Sequence, residues 1–301
     1  MPIPYTCPHC KLQTIVDDQY AGKSGPCAGC GVVVVIPLVS NDRIASKSDH
    51  PIWKWLRIIC LMLGILAMVG VGVAIVTVIA LPTYTAARNS SRREICADNL
   101  ERIAAAMDGY RQEHGHYPPA FSVDENGQPL HSWRVLILPY LGPAEQSIYD
   151  RFVLDKPWDD PANAWQAMNM PTVFGCPADP DAGSGMTSYM VITGRGTMFE
   201  KGVTITEADL QSGDGASQTI LVVESSQSSV PWNHPTDINS IQLQHGINSG
   251  VSPSCCSKHL PAGMNVVYAD GTVQFLPEFV AAEDLHSLST VKGGEVVPPL
   301  D

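Results

Sequence analysis

Charge is scarce in this sequence. Of its 301 residues, 16% are charged, against about 25% in an average soluble chain. The shortfall is local. From Ile58 to Leu81 no residue carries a charge, and Thr77 is the only clearly polar side chain. That run excludes an ordinary soluble enzyme. A basic excess is missing too, since the formal net charge is −12. Residues 1–54 are near neutral, and the acids concentrate after Pro82. Nucleic acid needs a basic footprint, so it is not expected as a partner. No G-x-S-x-G elbow, H-E-x-x-H helix, P-loop or EF-hand spacing occurs, which removes the motif-borne hydrolase, nucleotide and calcium-sensor chemistries.

What is present begins with that apolar run. At about 1.5 Å per helical residue it is long enough to cross a hydrocarbon core of about 30 Å. Trp53 and Trp55 precede it, where amphipathic rings favour the membrane interface. A span over 55–82 is therefore expected. Arg43, Lys47, Lys54 and Arg57 on one side against Arg88, Arg92 and Arg93 on the other give a slight vote for a cytoplasmic N-terminus.

The nine cysteines strengthen that orientation. Cys7, Cys10, Cys27 and Cys30 form two C-x2-C pairs, the spacing of a zinc ribbon. Each pair makes a tight turn aiming two sulfurs at one ion, and two turns complete a tetrahedral shell. Leu12–Val16 and Val32–Ile36 read as strands leaving the knuckles. The alternative is two disulfides. A module of fewer than about 40 residues cannot build its own core, so zinc is expected to be structural here. Reduced thiolates belong in the cytoplasm, which puts residues 1–38 inside, residues 39–54 as a linker, and the chain after Pro82 outside. Cys60 lies in the span. Cys96, Cys176, Cys255 and Cys256 lie beyond it and allow three pairings. Cys96–Cys176 is the favoured one, with four free thiols as the alternative.

Cys96, Leu100, Ile103, Met107 and Tyr110 are spaced 4, 3, 4, 3, one face of an amphipathic helix. One long helix, kinked at Pro82, is expected from near Trp55 to near Glu113. Ser132–Leu138 is ambiguous between helix and strand. Thr187–Ile192 and Thr219–Glu224 read as strands, and Met264–Ala269 with Thr272–Leu276 as a hairpin around Asp270-Gly271. Residues 155–185 and 225–262 read as long loops. The tail, residues 286–301, is expected to be disordered from Val291. Asp155, Asp159, Asp160, Asn163, Asp179 and Asp181 make an oxygen-rich stretch that admits calcium as a second metal; the alternative is turn-forming acids. His259, Asp270 and Glu224 could be read as a catalytic set, against a turn residue and a loop contact. The expected fold class is α+β: the ribbon, then one transmembrane helix continuing into a long helix packed on an antiparallel sheet.

These segments resemble a family. Ala80-Leu81-Pro82 through Arg92-Arg93, Cys96, Asn99-Leu100 and Tyr110 resembles the start of type IV pilin-like proteins, specifically a pseudopilin-like family expanded in planctomycetes, of largely unknown function. Collinear matches follow: Tyr117-Pro118-Pro119, Trp133-Arg134-Val135, Leu138-Pro139-Tyr140-Leu141, Pro157-Trp158-Asp159, Cys176-Pro177-Ala178-Asp179, Ser188-Tyr189, Gly213-Asp214-Gly215, and His259 ahead of Asp270-Gly271. The resemblance covers about residues 75–280 and implies a pseudopilin-like domain over 83–285. Two features depart from it. Ten residues rather than nine separate His259 from Asp270. No Gly-Phe-Thr-Leu-x-Glu leader site precedes Ile58, which puts processing and entry into a filament in doubt. The resemblance implies a non-enzymatic, single-pass inner-membrane protein, associated with the envelope or a type II-like secretion assembly. It would act through protein partners, including other pseudopilin-like subunits. The competing expectation is a membrane-bound sensor or adaptor that couples an outer ligand-binding domain to the cytoplasmic ribbon.

Overall fold

The computed structural model describes residues 2–38 and 51–294. Most of the expected linker, residues 39–50, and the end of the tail lie outside the described residues. The chain forms two units, Met1–Gly72 and Val73–Asp301.

The first unit opens with two small hairpins. β1 (Ile3–Thr6) pairs antiparallel with β2 (Gln13–Val16), and β3 (Ser24–Pro26) with β4 (Val33–Val35). Helix α1 follows at Pro51–Ile75. It starts ahead of the expected Trp55 because proline suits a first helical turn, where its missing N–H is no loss. The leucine, isoleucine and valine side chains of α1 are exposed along its length. The continuous helix Ile52–His114 is long and apolar enough to cross a membrane.

In the second unit, Val76–Ala80 forms a π-helical turn that passes into α2 (Leu81–His114). A proline ring crowds the carbonyl four residues back, and the wider turn just before Pro82 makes room for it. Next come β5 (Phe121–Val123) and β6 (Pro129–Ser132), then α3 (Trp133–Leu136), α4 (Leu138–Leu141), α5 (Pro143–Tyr149) and α6 (Pro161–Ala164). The ambiguous stretch after Ser132 is helical, capped by the Ser132 hydroxyl accepting from the Arg134 N–H.

β7 (Tyr189–Met190), β8 (Ile192–Thr193), α7 (Glu207–Ser212), β9 (Ile220–Glu224), β10 (Ile238–Asn239), β11 (Gly263–Tyr268), β12 (Val273–Pro277) and α8 (Ala282–Ser287) complete the domain. The main sheet is antiparallel, ordered β12-β11-β9-β7. β8 pairs with β10 in parallel. The break between β7 and β8 has a cause: the Val191 N–H leaves the ladder and donates to the Asp237 carboxylate at 3.1 Å.

Strand alternation explains why every residue of β9 is buried. Val222 lies opposite Val267, on the face where Leu100, Ile103 and Met107 of α2 pack. Val223 lies opposite Val266 and packs with Leu243, Leu285 and Leu288 on the other face. The architecture is therefore α+β, with α2 on one face of an antiparallel sheet. The disorder expected from Val291 is corrected over its described part: residues 291–294 fold back onto the domain, continuing from residues 286–290. Leu288 and Val291 are buried, the Val291 N–H donates to Gly196 O, and the Gly293 and Gly294 N–H groups donate to the Asp214 carboxylate. Apolar Leu285 and Leu288, one turn apart, need cover, and the second face of the sheet supplies it.

One buried ion pair ties distant segments together. Arg134 Nη2 donates to Asp237 Oδ1 at 2.7 Å and to Tyr189 O at 2.8 Å, while Nη1 donates to Ser132 Oγ at 2.9 Å. The indole N–H of Trp133 donates to the same carboxylate oxygen. Both charged side chains are removed from water. Arg134→Met strands the Asp237 charge and is expected to cost about 3–5 kcal/mol in denaturant unfolding of the full chain; adding Asp237→Leu recovers part of that.

His131 is buried, its ring edge-on to Phe152 at 5.5 Å, and among the described residues neither ring nitrogen has a hydrogen-bond partner. Burial holds its pKa below the ordinary value. The unfolded chain takes up that proton near 6.5 and the folded chain only at lower pH, so stability is complete above about 6.5 and falls as the pH drops below it. Melting temperatures between pH 7.5 and 5.5 are expected to fall less steeply in His131→Phe than in the wild-type chain.

Candidate metal centre

Each C-x2-C pair sits at the tip of one hairpin, and the two tips are built alike. The Cys7 N–H donates to Leu12 O and the Lys11 N–H to Cys7 O; the Cys27 N–H donates to Val32 O and the Gly31 N–H to Cys27 O. The residue after each pair turns left-handed, Lys11 at φ 61° and Gly31 at φ 73°. Glycine accepts that conformation without penalty; lysine takes it under the constraint of the turn.

The two tips bring the four sulfurs together. Cys7 Sγ lies 3.8 Å from Cys30 Sγ, and Cys10 Sγ 3.7 Å from Cys27 Sγ. A tetrahedron with metal–sulfur bonds of about 2.3 Å has edges of about 3.8 Å, so the set is compatible with a zinc site. Backbone N–H groups from Gly29 and then Cys30 aim at Cys27 and pull its thiol down to about 6, while Cys10, despite the Leu12 N–H, is pushed up to about 12 by desolvation and the neighbouring sulfurs. A thiolate is the form a metal needs. Burial makes the same case. Among residues 2–38 only Ile3 and Cys7 are buried, while Ile15, Val33 and Val35 are exposed. These hairpins have almost no apolar interior, so an ion between the sulfurs would take the place of a core.

A second group lies in the outer domain. Cys96 on α2 and Cys176 are joined in a disulfide. Beside it, His259 Nε2 stands 3.0 Å from Glu224 Oε1 and 3.5 Å from Cys176 Sγ. The Asn265 N–H donates to Glu224 Oε2 at 2.7 Å, and its side-chain amide to Oε1 at 3.1 Å. Asn265 was not singled out from the sequence, although an acid closing the apolar strand Ile220–Glu224 signals that a buried partner must exist. His259 and Asp270 do not meet. Asp270 is a turn residue whose Oδ1 accepts from the Thr272 N–H and hydroxyl, with Gly271 at φ 85°. Asn265, which holds Glu224, lies five residues back along the hairpin, about 16 Å of extended strand.

Three of the six residues in the oxygen-rich stretch have other work. Asn163 is buried, and its amide donates to the carbonyls of Val153, Lys156 and Pro157. Asp160 caps α6. Asp179 accepts from the Ser188 hydroxyl and the Gln227 N–H. Among the described residues, the groups whose geometry could hold a metal are the four ribbon cysteines and the Cys96, Cys176, Glu224, His259 set; neither includes these acids.

The model of a family described as proteins of unknown function, DUF1559, matches residues 85–253. The chain belongs to the DUF1559 family. In this DUF1559 protein the matched residues take in α2 from Thr85, the disulfide, the Arg134–Asp237 pair and Glu224. They stop short of His259 and Asp270, and the cysteine hairpins precede them. No curated protein and no solved structure matches the chain.

Cys27→Ser removes one corner of the tetrahedron. Elemental analysis of the full-length protein, purified without reductant, is expected to find one zinc per chain and none in the variant.

Proposed function

We propose that this DUF1559 protein is a single-pass membrane protein of the pseudopilin-like kind. Its hairpins would form a cytoplasmic zinc ribbon and its outer domain an extracytoplasmic module that works by protein contact rather than by catalysis. The observation that carries this reading is the helix Ile52–His114, which changes character along its length. Its first half is apolar with every described side chain exposed, which suits lipid. Its second half buries Cys96, Leu100, Ile103 and Met107, which suits a sheet. The zinc is structural on this reading, since four cysteine ligands leave no open position for substrate. Partners would be other pseudopilin-like subunits or components of a secretion assembly in the envelope.

A second reading keeps the topology and makes the protein a sensor or adaptor. The folded cysteine hairpins favour it, because an anchor alone needs no metal domain. Cross-linking mass spectrometry on native membranes, at the natural level of the protein, separates the two. Self-links along residues 83–110, or links to secretion components, are expected from the first reading. Links confined to an unrelated cytoplasmic protein at residues 1–54, with a monomeric outer domain, would overturn it in favour of the adaptor.

A further inference from the structure

We propose that the Cys96–Cys176 disulfide and the His259–Glu224 pair are two states of one redox-gated site: a disulfide in the oxidised chain, and a four-ligand zinc centre once that bond is reduced. The site is separate from the cysteine hairpins and does not depend on the functional reading above.

The argument starts from donor chemistry. Two sulfurs, an imidazole nitrogen and a carboxylate oxygen all lie within 4.8 Å of one another. Cysteine, histidine and carboxylate are the ligand types zinc takes, and four of them close a tetrahedron. The disulfide holds its two sulfurs closer than a tetrahedron allows, so it must open first; the other distances lie within about 0.4 Å of the edges a zinc site needs. Bonds of about 2.0 Å to nitrogen or oxygen and 2.3 Å to sulfur give tetrahedral edges of about 3.3–3.8 Å. Cys176 Sγ to His259 Nε2 is 3.5 Å, Cys176 Sγ to Glu224 Oε1 is 3.9 Å, and His259 Nε2 to Glu224 Oε1 is 3.0 Å.

The surroundings hold the ligands in place. Two donors from Asn265 fix the Glu224 carboxylate. The backbone N–H of His259 donates to Ser257 Oγ, whose own hydroxyl donates to Gly263 O, which fixes the loop that carries the ring. Outer-shell hydrogen bonds like those from Asn265 orient metal ligands. Among the described residues His259 Nδ1 is buried without a hydrogen-bond partner, and Nε2 is the ring nitrogen that faces both Glu224 and Cys176, so Nε2 is the one that would take the metal. His259 also lines a cavity of about 390 Å³ with Ser226, Cys256, Ser257 and Lys258, an entry path to an otherwise sealed site. Packing alone accounts less well for the group. A buried acid and a buried histidine against a disulfide are costly to desolvate, and an apolar pair would fill the space.

The chemistry balances with a dithiol as reductant. Two electrons from the dithiol break the Cys96–Cys176 sulfur–sulfur bond, and its two protons end on the freed sulfurs. The dithiol leaves as its own disulfide. Zinc then binds both sulfurs as thiolates, and their two protons pass to solvent.

The test compares zinc content of the full-length protein in detergent, oxidised and after dithiothreitol. Each sample is equilibrated anaerobically with zinc, desalted and assayed, with alkylation and mass spectrometry reporting the state of Cys96 and Cys176. The expected result is a rise of one zinc per chain on reduction, absent in His259→Gln. Cys27→Ser is expected to lower the oxidised and reduced values alike and to leave the rise intact, so a failure of the ribbon assignment and a failure of this one read differently. Equal zinc in both states, a rise that survives His259→Gln, or a bond that dithiothreitol does not open in the folded chain would overturn the proposal. The comparison of wild-type states needs no variant to fold.

Discussion

Cys96, Leu100, Ile103 and Met107 occupy one stripe of α2, and leaving it in water would forfeit roughly 1.5–3 kcal/mol for each large side chain. Most of the outer domain can be understood as the cover for that stripe. β9 and β11 supply Val222 and Val267 against it. The disulfide to Cys176 pins its start, closing a loop of 80 residues, which on the chain-entropy account restricts the unfolded chain by about 4.5 kcal/mol. Tyr189 and Asn99 fill the remaining polar positions. The tyrosine hydroxyl accepts from the Asn99 amide and donates to Cys96 O.

The same cover forces polar groups into the interior, and the charged ones there find partners. Glu224 ends a strand buried on both faces, so its carboxylate takes donors from Asn265 and His259. Arg134 and Asp237 meet because the segments after β6 and before β10 cross next to β7, where the Tyr189 carbonyl completes the guanidinium's partners. The cysteine hairpins solve the opposite problem. They have too few residues for an interior, and sulfur geometry takes the place of apolar packing.

Much of this was legible because it follows from local chemistry. The 4, 3, 4, 3 spacing after Cys96 marks a helical stripe whatever it packs on. The two C-x2-C pairs carry their turn geometry in their spacing. Asp270-Gly271 marks a hairpin tip because few residues adopt a left-handed backbone cheaply. What was not legible depends on meetings between remote segments. Nothing near Val191 announces that its N–H will leave the ladder for Asp237. Nothing near residue 286 shows that the chain returns to cover the second face of the sheet. From the sequence, Glu224 can be set beside His259, and the structure brings the two together. That set also includes Asp270, the neighbour of His259 along the chain, and leaves out the disulfide, which reaches the pair only through the convergence of α2, β9 and two loops.

The reach of α2 has a consequence for synthesis. The Asn265 amide donates to Arg93 O across a separation of 172 residues, and β11, which carries it, is among the last strands made. At about 5–20 residues per second, roughly 10–30 s pass between the emergence of α2 and that of the strand it packs on. Through that interval a bare apolar stripe stands beside a segment already suited to lipid. Until β9 and β11 are made, that stripe has none of the sheet it later packs on.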